Sequence, residues 1–175
     1  VVPSFLRKAG YPPEVVGLAF LAFLPYALRF VWAPLVDRYG WTRMGRRRSW
    51  IVLAQIGTAF CGGLLLLVEP TGGALPVIAL SALLVVAVAT QGIATGGYMV
   101  TALQASARVA GTSIQAASVG LAGLVLGGLL YATGDLGWRS VVELFILLSV
   151  FGFGVLLLVR FDLSERAGGE SISPF

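Results

Sequence analysis

Five stretches of the chain read as almost unbroken apolar runs, near Val15–Val36, Trp50–Val68, Leu75–Val100, Ser113–Thr133 and Val141–Val159. A helix needs about 20 mostly apolar residues to cross the hydrocarbon core of a bilayer, and the runs are of that order. A lipid-facing barrel strand would instead alternate apolar and polar residues over about ten positions, which none of the runs does. The pattern predicts an all-α membrane protein with five transmembrane helices over residues 1–163 and a polar, disordered tail at 164–175. Glu69–Ala74, with Pro70, Gly72 and Gly73, and Thr133–Arg139 predict short turns between antiparallel neighbours.

Composition agrees with lipid as the solvent. Hydrophobic residues make up 58% of the chain and charged residues 11%, against about 25% charged in a soluble domain. With no histidine, and with Cys61 as the one cysteine, inside an apolar run, the usual zinc sets, the Ser-His-Asp triad, the Cys-His dyad and a disulfide framework are unavailable. No phosphate-cradling glycine loop occurs. No metal site, bound cofactor or enzymatic activity is expected, and ATP does not drive whatever the chain does.

The formal charge of +4 points to nucleic acid only until its residues are placed. Arg38, Arg43, Arg46, Arg47, Arg48, Arg108, Arg160 and Arg166 fall on one side of the five runs, Arg7, Lys8 and Arg139 on the other, and Arg29 within the first. Basic residues concentrate in cytoplasmic loops, so the expected topology has the N-terminus of the chain outside and the C-terminus in the cytoplasm. The partner implied is the bilayer of a plasma (bacterial inner) membrane, not nucleic acid. Nothing before Pro13 resembles a translocating signal, so at least one preceding span is expected, and the tail is expected to mark a truncation or frame change.

The stretch LPYALRFVWAPLVDRYGWTRMGRRRSW from Leu24 resembles the loop motif of the major facilitator superfamily, where an Asp-Arg pair ends the second helix and Gly-Arg-Arg opens the third. Within it the chain is most similar to the branch holding the AmpG muropeptide permeases, acetyl-CoA transporters and RhtX/FptX siderophore-uptake proteins. ATQGIATGGY at Ala89–Tyr98 and LGWR at Leu136–Arg139 extend the resemblance. It implies a partial major-facilitator bundle in which the five spans are helices two to six of twelve, with helix one and the C-terminal half as missing partners. The implied function is secondary-active uptake of a bulky anionic solute, such as a siderophore or muropeptide, by alternating access in a full-length parent. The piece alone is then expected to be inactive.

The loop motif consists of Asp37, Arg38, Gly45, Arg46 and Arg47. Asp37 ends a helix, where the dipole disfavours a carboxylate by about 0.3 to 1 kcal/mol, so a compensating cation is expected from Arg38 or from Arg46, Arg47 and Arg48. The resemblance implies a further latch onto a helix of the missing half. The plainer alternative is that these arginines set topology and bind anionic headgroups.

Inside the membrane, Arg29 lies about 12 Å above Asp37 along the helix. A basic residue at that depth usually faces a cavity or partner, snorkelling being the alternative. Tyr26 shares its face three residues earlier, and Pro25 and Pro34 permit local unwinding. Gln91, Thr95 and Tyr98 form a polar stripe at helical spacing on the third run. Together with Arg29 and Tyr26 they are the candidate solute-binding residues.

The related pattern Q-D-I-A-x-D-[AG]-Y carries two aspartates where this chain has Gly92 and Gly96. Glu143 remains as a candidate for ion coupling to a proton gradient, or as an interfacial residue. Glycines of the third and fourth runs predict close helix packing, and a small membrane scaffold assembling through those faces is the alternative function.

Overall fold

The computed structural model describes residues 2–40, 45–133 and 137–158. Arg43, Leu136, Val159, Arg160, Arg166 and the tail at 164–175 lie outside the described residues. What is described is helical and contains no strand. Three helical segments, Pro13–Val31, Arg46–Leu67 and Ala74–Thr101, are long and apolar enough to cross a membrane among the described residues.

The chain opens with α1 (Val2–Lys8), a short helix the apolar pattern did not single out. Phe5 and Leu6 sit three and four residues after Val2, so one face is apolar. Leu6 is fully buried, and Phe5 meets Trp138 edge to ring at 5.5 Å.

The first apolar run is broken where a single helix was expected. It comprises α2 (Pro13–Leu18), a 3-10 segment (Ala19–Phe23), α3 (Leu24–Ala27), a second 3-10 segment (Leu28–Val31) and α4 (Ala33–Arg38). Proline has no N–H to give to the carbonyl four residues back and crowds it, and Pro25 and Pro34 fall in the first turns of α3 and α4. The Leu24 N–H bonds instead to the Leu21 carbonyl, one residue tighter than an α-helix. The run is thus a stack of short turns, with Phe20, Phe23, Phe30 and Val31 exposed along it.

The next two runs fold regularly. α5 (Arg46–Leu67) turns through Pro70–Gly72 into the antiparallel α6 (Ala74–Ala102), and the two pack along their lengths as the structural centre. α8 (Trp138–Leu158) lies on α5, while the broken first span lies on α6. Gly62 of α5 lets α8 approach, since a Cβ there would come within 2.9 Å of Ile146. Gln55, buried in α5, donates to the Ser149 carbonyl of α8 at 2.6 Å.

Two core clusters mark the two ends of the α5/α6 pair. Val36, Ile51 and Ala94 gather at the arginine-rich end, and Leu65, Val77, Trp138 and Val142 at the other.

α7 (Ala105–Thr133) leaves the end of α6 and meets it near Gly111, beside Leu103 and Met99. Beyond that its described side chains are exposed except for Gln115. Among the described residues, nothing lies within 4 Å of a Cβ at Gly120, Gly123, Gly127 or Gly128, where close packing was expected. The same holds for Gly92 and Gly96 on α6, whereas Gly97 does pack, against Arg47. Small residues permit close approach but cannot create a partner helix.

Trp138, 8% exposed, joins the ends of α5 and α8. Its indole N–H lies 2.8 Å from the Val68 carbonyl and 3.1 Å from that of Leu65, two of the carbonyls left without partners where α5 stops. Trp138→Phe keeps the ring against Phe5 but removes this donor, and is expected to cost about 1–3 kcal/mol. Trp138→Ala also opens a cavity and is expected to cost about 3–5 kcal/mol. Thermal unfolding in detergent checks the order; equal melting temperatures for the native chain and Trp138→Phe would show the indole bond to be idle.

Candidate functional site

Two of the loop-motif residues, Asp37 and Arg47, meet. Gly45 precedes α5 with φ +85°, a backbone conformation costly for any residue with a side chain, and this turn starts α5 so that Arg46, Arg47 and Arg48 form its first turn. Arg47 then points across to α4 and α6. Its Nη2 lies 3.5 Å from Asp37 Oδ1, its Nη1 donates to the Gly97 carbonyl, and Nη1 also reaches Thr101 Oγ1 at 3.1 Å. One side chain therefore ties the ends of α4, α5 and α6. Gly97 lets it in, since a Cβ there would sit 3.0 Å from the guanidinium carbon.

Of the cations expected to compensate Asp37, Arg47 is seen paired with it among the described residues. Arg38 turns away and lies over the Tyr39 ring at 6.0 Å, and Arg46 is exposed. Two indoles brace the same end. Trp50 donates to the Tyr39 carbonyl, and Trp32 donates to Thr90 Oγ1 at 3.2 Å, whose hydroxyl bonds the Val86 carbonyl one turn back. Arg47 side-chain exposure is 16% and that of Asp37 is 55%. The ion pair itself is thus water-screened and weak, and the bonds from Arg47 to α6 carry more of the attachment.

About two turns up the broken span, Arg29 stacks over the Tyr26 ring with the guanidinium carbon 4.5 Å from the ring centroid. This is a cation–π contact, and both residues are exposed. Their place on 3-10 and short α segments gives an open face carrying one positive charge and one phenol.

On α6, Gln91 and Thr95 are half-buried. Tyr98 packs against the Val36, Ile51 and Ala94 cluster, so the lower end of the polar stripe belongs to the loop-motif core. Glu143 is exposed on the second turn of α8, far along the bundle from the arginine-rich end. Among the described residues, no three Cys, Asp or Glu side chains gather as metal ligands.

Sequence reading missed three polar participants. Thr90 lies within an apolar run and Thr101 just past its end, and neither drew notice because a threonine can bond its own helix and needs no partner. Gln55 left a faint signal, a lone amide inside a spanning helix, where a cross-helix bond is the usual way to satisfy it.

Residues 3–71 match a family model described as acetyl-coenzyme A transporter 1, so the resemblance read from Leu24–Trp50 stands for that segment. An uncharacterized protein of Haemophilus influenzae is 43% identical over 56 residues, covering 32% of this chain and 13% of its own length. "Putative transporter AmpG 3" of Rickettsia prowazekii is 37% identical over 59 residues, covering 31% of this chain and 14% of its own length. An uncharacterized membrane protein of Saccharomyces cerevisiae is 36% identical over 61 residues, 34% of this chain and 11% of its own length. The matched segment thus spans only a small part of these relatives. No solved structure matches the chain. The transporter relatives and the long apolar helices together identify a multi-pass membrane protein.

If Arg47 is the tie, its loss should cost more than loss of its acid. Asp37→Asn is expected to change stability by about 1 kcal/mol or less, and Arg47→Ala by about 1.5–3 kcal/mol, since charged hydrogen bonds to Gly97 and Thr101 go with it. Thermal unfolding of both variants and of the double variant in detergent decides; a larger loss for Asp37→Asn would make the ion pair the principal contact.

Proposed function

From the transporter family that residues 3–71 match, we propose that this chain is part of the N-terminal half of a major-facilitator-type secondary transporter that takes up a bulky anionic solute, such as a siderophore or muropeptide. The observation that carries the reading is the open Arg29–Tyr26 pair, a cation held over an aromatic ring on the one span whose helix is broken. A basic group in a membrane span is costly unless it meets an anion or water-filled cavity. Broken helices at membrane depth belong to cavities in transporters. Gln91 and Thr95 are proposed as secondary polar contacts and Tyr98 as the support beneath them, with Glu143 an interfacial residue or a site of proton coupling.

Alternating access needs a second half to rock against, and two exposed faces are suited to meet it. One is the broken span, with Phe20, Phe23 and Phe30 outward, and the other is α7, with Val109, Ile114, Val119 and Leu124 outward. The reading counts α7 and α8 as the fourth and fifth spans, equivalent with the others to helices two to six of twelve. It places the Arg46–Arg48 end in the cytoplasm of a bacterial inner membrane, and it makes the 175-residue chain inactive alone and not an enzyme. The Arg47 tie would set how easily that end opens. The glycine faces of α7 keep the scaffold reading alive; a stable stoichiometric partner complex with no solute binding would favour it.

In the full-length parent, Arg29→Ala is expected to abolish uptake of the anionic solute while Arg29→Lys retains most of it. Undiminished uptake by Arg29→Ala, measured in cells with radiolabelled solute, removes Arg29 from the site. For topology, a membrane-impermeant maleimide should label Thr71→Cys in intact cells of a Cys61→Ser background, and Ser106→Cys only after permeabilisation. The reverse pattern inverts the orientation.

A further inference from the structure

Trp32 joins the pieces of the broken span. Its backbone N–H bonds to the Arg29 carbonyl, closing the second 3-10 segment, and its own carbonyl accepts from the Leu35 and Val36 amides at 3.0 and 3.2 Å, opening α4. Its side chain leaves the span altogether. The indole N–H donates to Thr90 Oγ1 of α6 at 3.2 Å, and the ring packs on the Val36, Ile51 and Ala94 cluster. One residue therefore holds the Arg29 peptide, the start of α4 and the middle of α6.

Thr90 suits this contact because a hydroxyl both donates and accepts. Its proton goes to the Val86 carbonyl at 2.8 Å, and its oxygen accepts from the indole. An indole N–H left without an acceptor in hydrocarbon is costly, so swinging Trp32 away from Thr90 is opposed.

The rest of the span does little to fix Arg29. Ala19 and Ala22 are buried, where the first 3-10 segment lies on α6, but Tyr26 through Val31 are all exposed, and 3-10 turns hold themselves less well than α-helix. Arg29 thus rides on a stretch anchored at Ala22 on one side and at Trp32, its direct bonding partner, on the other. Across the contact, Gln91 follows Thr90 directly and Thr95 stands a little over one turn beyond it.

We infer that Trp32, held by Thr90, is a positioning residue of the solute site, and that the bond between them sets where Arg29 stands against Gln91 and Thr95. Its bearing on uptake rests on the proposed reading of Arg29; the placement of Arg29 by Trp32 does not.

The test is double electron–electron resonance on the purified chain in detergent, with spin labels at Phe30→Cys and Leu75→Cys in a Cys61→Ser background. Both sites are exposed, and Leu75 stands on α6 about 22 Å along the axis from Thr90, so the pair reads the neighbour of Arg29 against the helix that bears Thr90. The native chain should give a single narrow distance population. Thr90→Val keeps the shape and removes the acceptor, and Trp32→Phe keeps an aromatic ring and removes the donor; each should broaden or split the population. Thr90→Ser should restore it. A second pair, Leu53→Cys with Leu75→Cys between α5 and α6, should give the native distribution in every variant.

An unchanged Phe30–Leu75 distribution in either Thr90→Val or Trp32→Phe overturns the inference, as does failure of Thr90→Ser to restore it. Equal broadening of the Leu53–Leu75 pair also overturns it, since the effect would then be a general loosening of the bundle. These distances are independent of uptake. Undiminished uptake by Arg29→Ala, with Phe30 displaced in Thr90→Val, would remove the transport reading and leave the placement of Arg29 by Trp32 standing.

Discussion

A peptide group in hydrocarbon has no water to bond, and nearly every feature of this chain follows from that constraint. It forces the apolar runs into helices and makes α5 and α6 long enough to carry their backbones across the core. It also makes each departure from regular helix informative. Where Pro25 and Pro34 break the first span into short α and 3-10 turns, the lost bonds must be met by neighbours or by a wet cavity, and this is the segment that holds Arg29 and Tyr26.

The same demand acts at the helix ends, where it is met by side chains. At one end of the α5/α6 pair, the Trp138 indole takes the last carbonyls of α5, and α1 closes over it. At the other, Arg47 takes the Gly97 carbonyl and Thr101 while pairing with Asp37. The two ends differ in kind. Trp138 sits in a packed apolar cluster; Arg47 holds through polar bonds beside a half-exposed carboxylate, which water can compete for.

The exposed faces divide along similar lines. The broken span and α7 both expose large apolar side chains, and on the broken span these flank the exposed Arg29 and Tyr26.

Much of this was legible in the chain. Run length marked α5, α6 and the turn between them, because lipid solvation acts on each residue through its own polarity. The motif from Leu24 to Trp50 likewise marked Asp37, Gly45 and Arg47 before their geometry was known. Partner choice was not legible. That Asp37 meets Arg47, that Gln55 reaches Ser149, and that Gly62 packs against Ile146 were all decided by how helices rotate and approach one another. Composition sets which segments leave water, a local property; contacts between segments depend on crossing geometry, which no single stretch of sequence contains.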